Sequence, residues 1–168
     1  MTRRSTTGPG NWVLLSYRMP REPSTPRITI WRKLKRLGVA QLGDGLIALP
    51  ADARTREHLD WIAEEIVESG GAATVWLAQP ATLAQERELA AAMAAARRDE
   101  YRAVIHQAAA AVNLGEPDRT RTVRRLRDEL RRIHRRDYFP PAERDTARQA
   151  VEVLVEPRTE AESPEITP

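Results

Sequence analysis

Residues 119–136 read RTRTVRRLRDELRRIHRR. Nine arginines, at 119, 121, 124, 125, 127, 131, 132, 135 and 136, face only two acids, Asp128 and Glu129. A guanidinium is planar, permanently charged and donates in a fixed fork, so it suits bidentate contact with phosphate and other oxyanions. Val123, Leu126, Leu130 and Ile133 recur at spacings of three and four. That is one apolar stripe on an α-helix whose remaining circumference is cationic. One reading is a contact surface for nucleic acid or an oxyanion. The other is a solvated helix face. In that case Asp128→Arg132, Arg125→Glu129 and Glu129→Arg132 pair along the helix, each for about 0.2–0.5 kcal/mol. Two acids cannot neutralise nine arginines, so the contact reading stands beside the plain one.

A second basic helix is expected within PSTPRITIWRKLKRLG. Ser24 or Thr25 can cap it, Pro26 fits its first turn, and Gly38 stops it. Ile30 or Trp31, with Leu34 and Leu37, gives the core stripe. Arg27, Arg32, Lys33, Lys35 and Arg36 cover the rest.

Other groupings carry no catalytic or metal-binding pattern. His58, His106 and His134 fall on three separate helices without ligand spacing. Ser16 and Tyr17 lie outside any nucleophile elbow. Gly43-Asp44-Gly45 is a hairpin turn rather than a phosphate cradle, because no helix and no G-K-[ST] follows. Asp44 and Asp52 read as turn and cap residues. Trp12, Trp31, Trp61 and Trp76 read mostly as core. There is no cysteine, which excludes disulfides, thiolate metal sites and thiol chemistry.

The elements that position the two basic helices follow from pattern. WVLLSYRM, Trp12–Met19, is a buried strand between GPGN and PREP. Val39–Leu42 and Leu46–Leu49 form a hairpin in which Gly43-Asp44-Gly45 supplies the positive-φ residues. Asp52 caps a helix over Arg54–Ser69, with Leu59, Ile62, Ile66 and Val67 inward. Gly70-Gly71 ends it, and Ala73–Ala78 is a fourth strand. The order βαββαβ is the ferredoxin-like plan, with both helices on one sheet face. Val13, Leu15 and Tyr17 suit that face. Trp12, Leu14 and Trp76 make the other face apolar too. It should be covered by the C-terminal helices or by a second subunit, which raises a homodimer.

Residues 81–156 are expected as a helical extension of about three helices. Thr82 and Gln85 form a capping box. A helix then runs to about Val112, with Leu89, Met93, Tyr101, Val104, Ala108 and Val112 near one stripe. Asp118 caps the arginine helix. Tyr138-Phe139-Pro140-Pro141 turns the chain into a last helix carrying Ala147, Ala150, Val151 and Leu154. Residues 1–10 lack the apolar core of a signal peptide and are expected as a disordered arm. Residues 157–168 are expected as a disordered acidic tail. The net charge is only +3, so affinity for an anionic partner must be local. No apolar run is long enough to span a bilayer. A cytoplasmic protein without membrane contact fits these features.

Two segments resemble a known family. They are WVLLSYRMPREPSTPRITIWRKLKRLGVAQLGDGLIALP and RRLRDELRRIHRRDYF, and the likeness spans roughly residues 11–155. Both are similar to the N-terminal region of ChrB proteins, which accompany chromate efflux transporters in bacterial resistance operons. The resemblance implies a chromate-responsive transcriptional regulator that binds its operon's DNA. Full-length family members carry a further C-terminal domain. The strand–helix–hairpin portion also resembles, more distantly, the middle domain of PaaX-type repressors and the ferredoxin-like nucleases of CRISPR adaptation. Those nucleases carry an aspartate after the first-strand tyrosine; here Tyr17 is followed by Arg18. A cation replaces the metal-binding carboxylate, which argues against a metal-dependent phosphodiesterase.

The leading expectation is a non-enzymatic DNA-binding regulator answering to chromate. Arg18, Arg27, Arg32, Lys33, Arg36, Arg124, Arg125, Arg131, Arg132, Arg135 and Arg136 are the residues expected to contact DNA or the oxyanion. No catalytic residue, no metal ligand and no cofactor other than chromate itself is expected. The alternative is an accessory domain in chromate resistance whose basic helix binds an acidic protein partner.

Overall fold

Alternating apolar residues and well-placed turn residues give the N-terminal half its sheet. We describe the chain from a computed structural model over residues 10–156. The expected tail over 157–168, and all of the expected arm except Gly10, lie outside the described residues. The elements run β1 (Trp12–Arg18), α1 (Ser24–Leu37), β2 (Ala40–Gly43), β3 (Leu46–Pro50), α2 (Ala53–Glu68) and β4 (Ala72–Ala78). Then come α3 (Leu83–Ala111), α4 (Glu116–His134) and α5 (Glu143–Val153). The sheet is antiparallel in the order β2-β3-β1-β4, as the ferredoxin-like plan requires.

Cross-strand partners share a sheet face. Val13 and Leu15 pair with Leu49 and Ile47 on β3 and with Leu77 and Val75 on β4. This face takes α1 and α2 through Ile30, Leu34, Leu59, Ile62 and Ile66, all buried. Asp52 Oδ1 accepts from the Thr55 amide at 2.7 Å and starts α2 as anticipated. Thr55 is fully buried because its hydroxyl donates to the Pro50 carbonyl at 2.7 Å. Trp12, Leu14 and Ala48 lie on the opposite face. There Trp12 stacks on Phe139 with ring centroids 6.0 Å apart and donates to Glu86 on α3 at 3.1 Å.

Helix α3 has 29 residues and so runs roughly 43 Å. Its first half, with Leu89 and Met93, closes the sheet core. Its second half, with Tyr101, Val104, Ala108 and Ala111, packs with α4 and α5 in a separate apolar cluster. One helix therefore bridges the sheet and the helical extension.

Several expectations need correction. Only Trp12 among the four tryptophans is core; Trp31, Trp61 and Trp76 are exposed. On α1 the core position falls to Ile30, which rotates Trp31 outward, where Lys35 Nζ lies 4.9 Å from its ring. Trp76 lies on an edge strand beyond the reach of the C-terminal helices, so the second sheet face is covered at Trp12 but not at Trp76. Val67 and Val112 point outward; Ala111 takes the buried place instead. The N-cap of helix α4 is Gly115, three residues before Asp118, so the helix begins at Glu116 and Asp118 sits in its first turn. Helix α1 has Pro23 at its N-cap and no side-chain cap. Of the hairpin glycines, only Gly45 has positive φ, while Gly43 extends β2 through a bulge.

Candidate nucleic-acid interface

The arginine helix is amphipathic in three dimensions as well as in sequence. Val123, Leu126 and Ile133 are buried and Leu130 is half-buried against α3 and α5. Arg124, Arg131 and Arg135 stand seven and four residues apart on the opposite side and are exposed. At 1.5 Å per residue they span about 16 Å, or about five base-pair steps of 3.4 Å. Neither Arg124 nor Arg135 has an ion-pair partner among the described residues. Arg131 pairs with Asp128, and Arg132 reaches Glu129 at 2.9 Å; both arginine side chains stay more than half exposed, at 65% and 59%. Such surface pairs are worth about 0.2–1 kcal/mol, too little to withhold the guanidinium from a phosphate. Arg125 lies further round and donates to Gln107 on α3 at 2.5 Å.

Arg136 is different. Its side chain is only 17% exposed and sits 3.0 Å from Glu100 on α3. Arg97, also on α3, donates to the Arg136 carbonyl at 3.3 Å and pairs with Glu100 at 3.2 Å. Burial pulls the Arg97 pKa below the usual guanidinium value, Glu100 pulls it back up, and Arg136 adds to the lowering. Beside them Tyr101 donates to Asp137 at 2.8 Å. Burial first, and then that bond, holds the Tyr101 phenol well above its ordinary value. This cluster anchors the end of α4 rather than presenting charge to solvent.

The anchor also joins the two basic helices. Gly38, the α1 C-cap, has φ 72°, and a Cβ there would lie 2.7 Å from Arg136 Cβ. Tyr138 donates to the Leu37 carbonyl at 3.2 Å. The C-terminal ends of α1 and α4 therefore abut. Arg32 and Arg36 are exposed on α1 without an ion pair among the described residues. Lys33 is half-buried and paired with Glu65 on α2.

Arg18 and Arg27 occupy another place. They line an open cleft of about 990 Å³ with Tyr17, Met19, Trp31 and Asp44. The structure thus divides the expected contact residues into an outward lane on α4, an outward pair on α1, two cleft arginines and two inward cations, Lys33 and Arg136. Arg97 and Glu100 went unrecognised in the sequence. Their signal is that Arg97 interrupts the apolar stripe between Met93 and Tyr101 at helical spacing. Among the described residues, no group of three or more histidine, aspartate or glutamate side chains gathers as metal ligands. No helix among them is long and apolar enough to cross a membrane.

Comparison with known proteins adds the family. Residues 27–113, just over half the chain, match the family described as Protein ChrB, N-terminal. The chain belongs to the ChrB N-terminal family. Its matched stretch runs from the first turn of α1 to just past α3, and α4 lies beyond it. A relative from Cupriavidus metallidurans, Protein ChrB, is 29% identical over 136 residues, covering 77% of this chain and 40% of that protein. The chain therefore spans well under two thirds of that relative. No solved structure matches.

Proposed function

We propose that this chain is a DNA-binding regulatory module of chromate resistance. It contacts the phosphodiester backbone through Arg124, Arg131, Arg132 and Arg135 on α4, with Arg32 and Arg36 on α1. The single observation that carries this reading is the outward arginine lane on a helix whose apolar face is fully occupied. Such a helix has no packing use for those side chains, and phosphate contacts are the main source of salt-dependent affinity for DNA. Arg136 and Lys33 act instead by holding α4 and α1 in place. Membership of the ChrB N-terminal family supports a role in chromate resistance. Chromate is a small tetrahedral dianion, and Arg18 and Arg27, which line the same open cleft, are guanidiniums suited to it as effector.

A mobility-shift assay on the chain's own upstream DNA, with and without chromate, tests this. The expected result is retardation that weakens with salt and is released by chromate. Absence of salt-sensitive binding would move the alternative, an accessory domain for an acidic protein partner, ahead. Retardation that chromate leaves unchanged would keep the DNA contact and remove the effector.

A further inference from the structure

We propose that β4 is a dimerisation edge, and that two copies of this chain pair their β4 strands antiparallel about Val75. The inference is independent of DNA binding. Strand β4 ends the sheet and pairs only with β1 among the described residues. Its outer side carries backbone N–H and C=O groups that no strand meets. Natural proteins guard such edges with charge, proline, bulges or shortness. The opposite edge, β2, is guarded in that way: it has four residues and a bulge between Gln41 and Gly43. Strand β4 has none of these devices. Its seven residues, AATVWLA, carry no charge and no proline, and its pairing to β1 is unbroken.

Apolar side chains border this edge on both faces. Trp76 is 53% exposed on one face, and Leu77 is 61% exposed on the other. Val67 is 56% exposed on α2, which packs on β1 and β4. Lys33 of α1 meets Glu65, which fixes the α1 side of α2. Helical spacing puts Val67 with Ala63 on the flank away from it, toward β4.

The occupant follows from the strand's own sequence. A two-fold axis through an antiparallel edge pairs each residue with its mirror position, on the same face. Centred on Val75, it uses the whole strand. Trp76 then meets Thr74 of the second copy, Leu77 meets Ala73, Ala78 meets Ala72, and Val75 meets itself. Each large exposed side chain lies against a small one. Centring on Trp76 would instead force two indoles together. The strand is therefore complementary to itself in size and in its lack of charge.

The chain has no cysteine, so single cysteines report the register cleanly. Val75→Cys should cross-link into a covalent dimer on mild oxidation. Ala73→Cys should not, because its two mates would lie about 13 Å apart along the strands, beyond the roughly 7 Å a disulfide spans. Light scattering should give the native protein twice the chain mass. The Trp76→Lys, Leu77→Lys double variant should give the single chain mass with an unchanged circular dichroism spectrum. If that variant fails to fold, the cysteine pair decides alone. A native protein of single chain mass at the highest attainable concentration overturns the proposal. Equal cross-linking of the two cysteine variants, or none in either, does so as well.

Discussion

Replacing Gly38 by alanine should loosen the joint between the two basic helices. Gly38 has φ 72°, in the left-handed region. Holding a residue with a Cβ there costs about 1 kcal/mol. The new methyl would also lie 2.7 Å from Arg136 Cβ, 2.7 Å from Arg97 Nη1 and 2.9 Å from the Arg136 carbonyl oxygen. The Arg97 tip can swing away, but the Arg136 atoms are fixed to the backbone at the end of α4. Overpacking of this kind costs about 1–3 kcal/mol. The two contributions come to about 2–4 kcal/mol, and at roughly 2–4 °C per kcal/mol the melting temperature should fall by about 5–15 °C. Gly43→Ala is the control, since nothing lies within 4 Å of its Cβ position and its φ is not positive. Calorimetry on both variants reads the difference. If Gly38→Ala melts with the native protein, α4 does not close on α1 as described.

Three other outcomes follow from the same packing. Leu126 is fully buried, so Leu126→Ala should lose about 2–5 kcal/mol in denaturant unfolding. Exposed Arg124→Ala should stay within about 0.5 kcal/mol of the native value, and equal losses would contradict the orientation of α4. The Tyr101 phenol is held above its ordinary value of 10.0 by burial and by its bond to Asp137. The folded state therefore keeps that proton longer than the unfolded chain does. The stability it contributes is complete below about pH 10 and is lost as the pH rises toward the folded value. Tyr101→Phe should flatten the alkaline fall in stability, with unfolding midpoints compared at neutral pH and just above pH 10; an unchanged slope would remove Tyr101 as its source.

The fold was legible because each element carried its own local signal. The βαββαβ order, the Asp52 cap, the capping box at Thr82 and the apolar stripe of α4 all appear where the sequence pattern puts them. What pattern could not reach was tertiary. Ile30 and Trp31 fit the α1 stripe equally well, and only the neighbouring sheet decides which turns inward. Trp76 reads as core because strands alternate; the βαββαβ order puts β4 at the sheet edge, but it does not say that the C-terminal helices leave that edge uncovered. Of the expected contact residues, the outward lane on α4 followed from periodicity. The inward turn of Arg136 did not, because its partner Glu100 is 36 positions away on another helix. Lys33 is similar, since Glu65 belongs to α2.

The central claim is that the α4 lane touches phosphate. The decisive measurement is the salt dependence of affinity for the chain's upstream DNA, taken for the native protein and for the triple variant Arg124→Ala, Arg131→Ala, Arg135→Ala. Each phosphate contact removed should flatten the slope of log K against log salt by about 0.9, so the variant should lose up to about 2.7 units. Affinity should fall on all sequences alike, because backbone contacts carry no base information. The melting temperature should stay near the native value, since all three side chains are exposed. An unchanged slope and unchanged affinity in a folded triple variant would contradict the account and take the arginine helix out of the DNA contact.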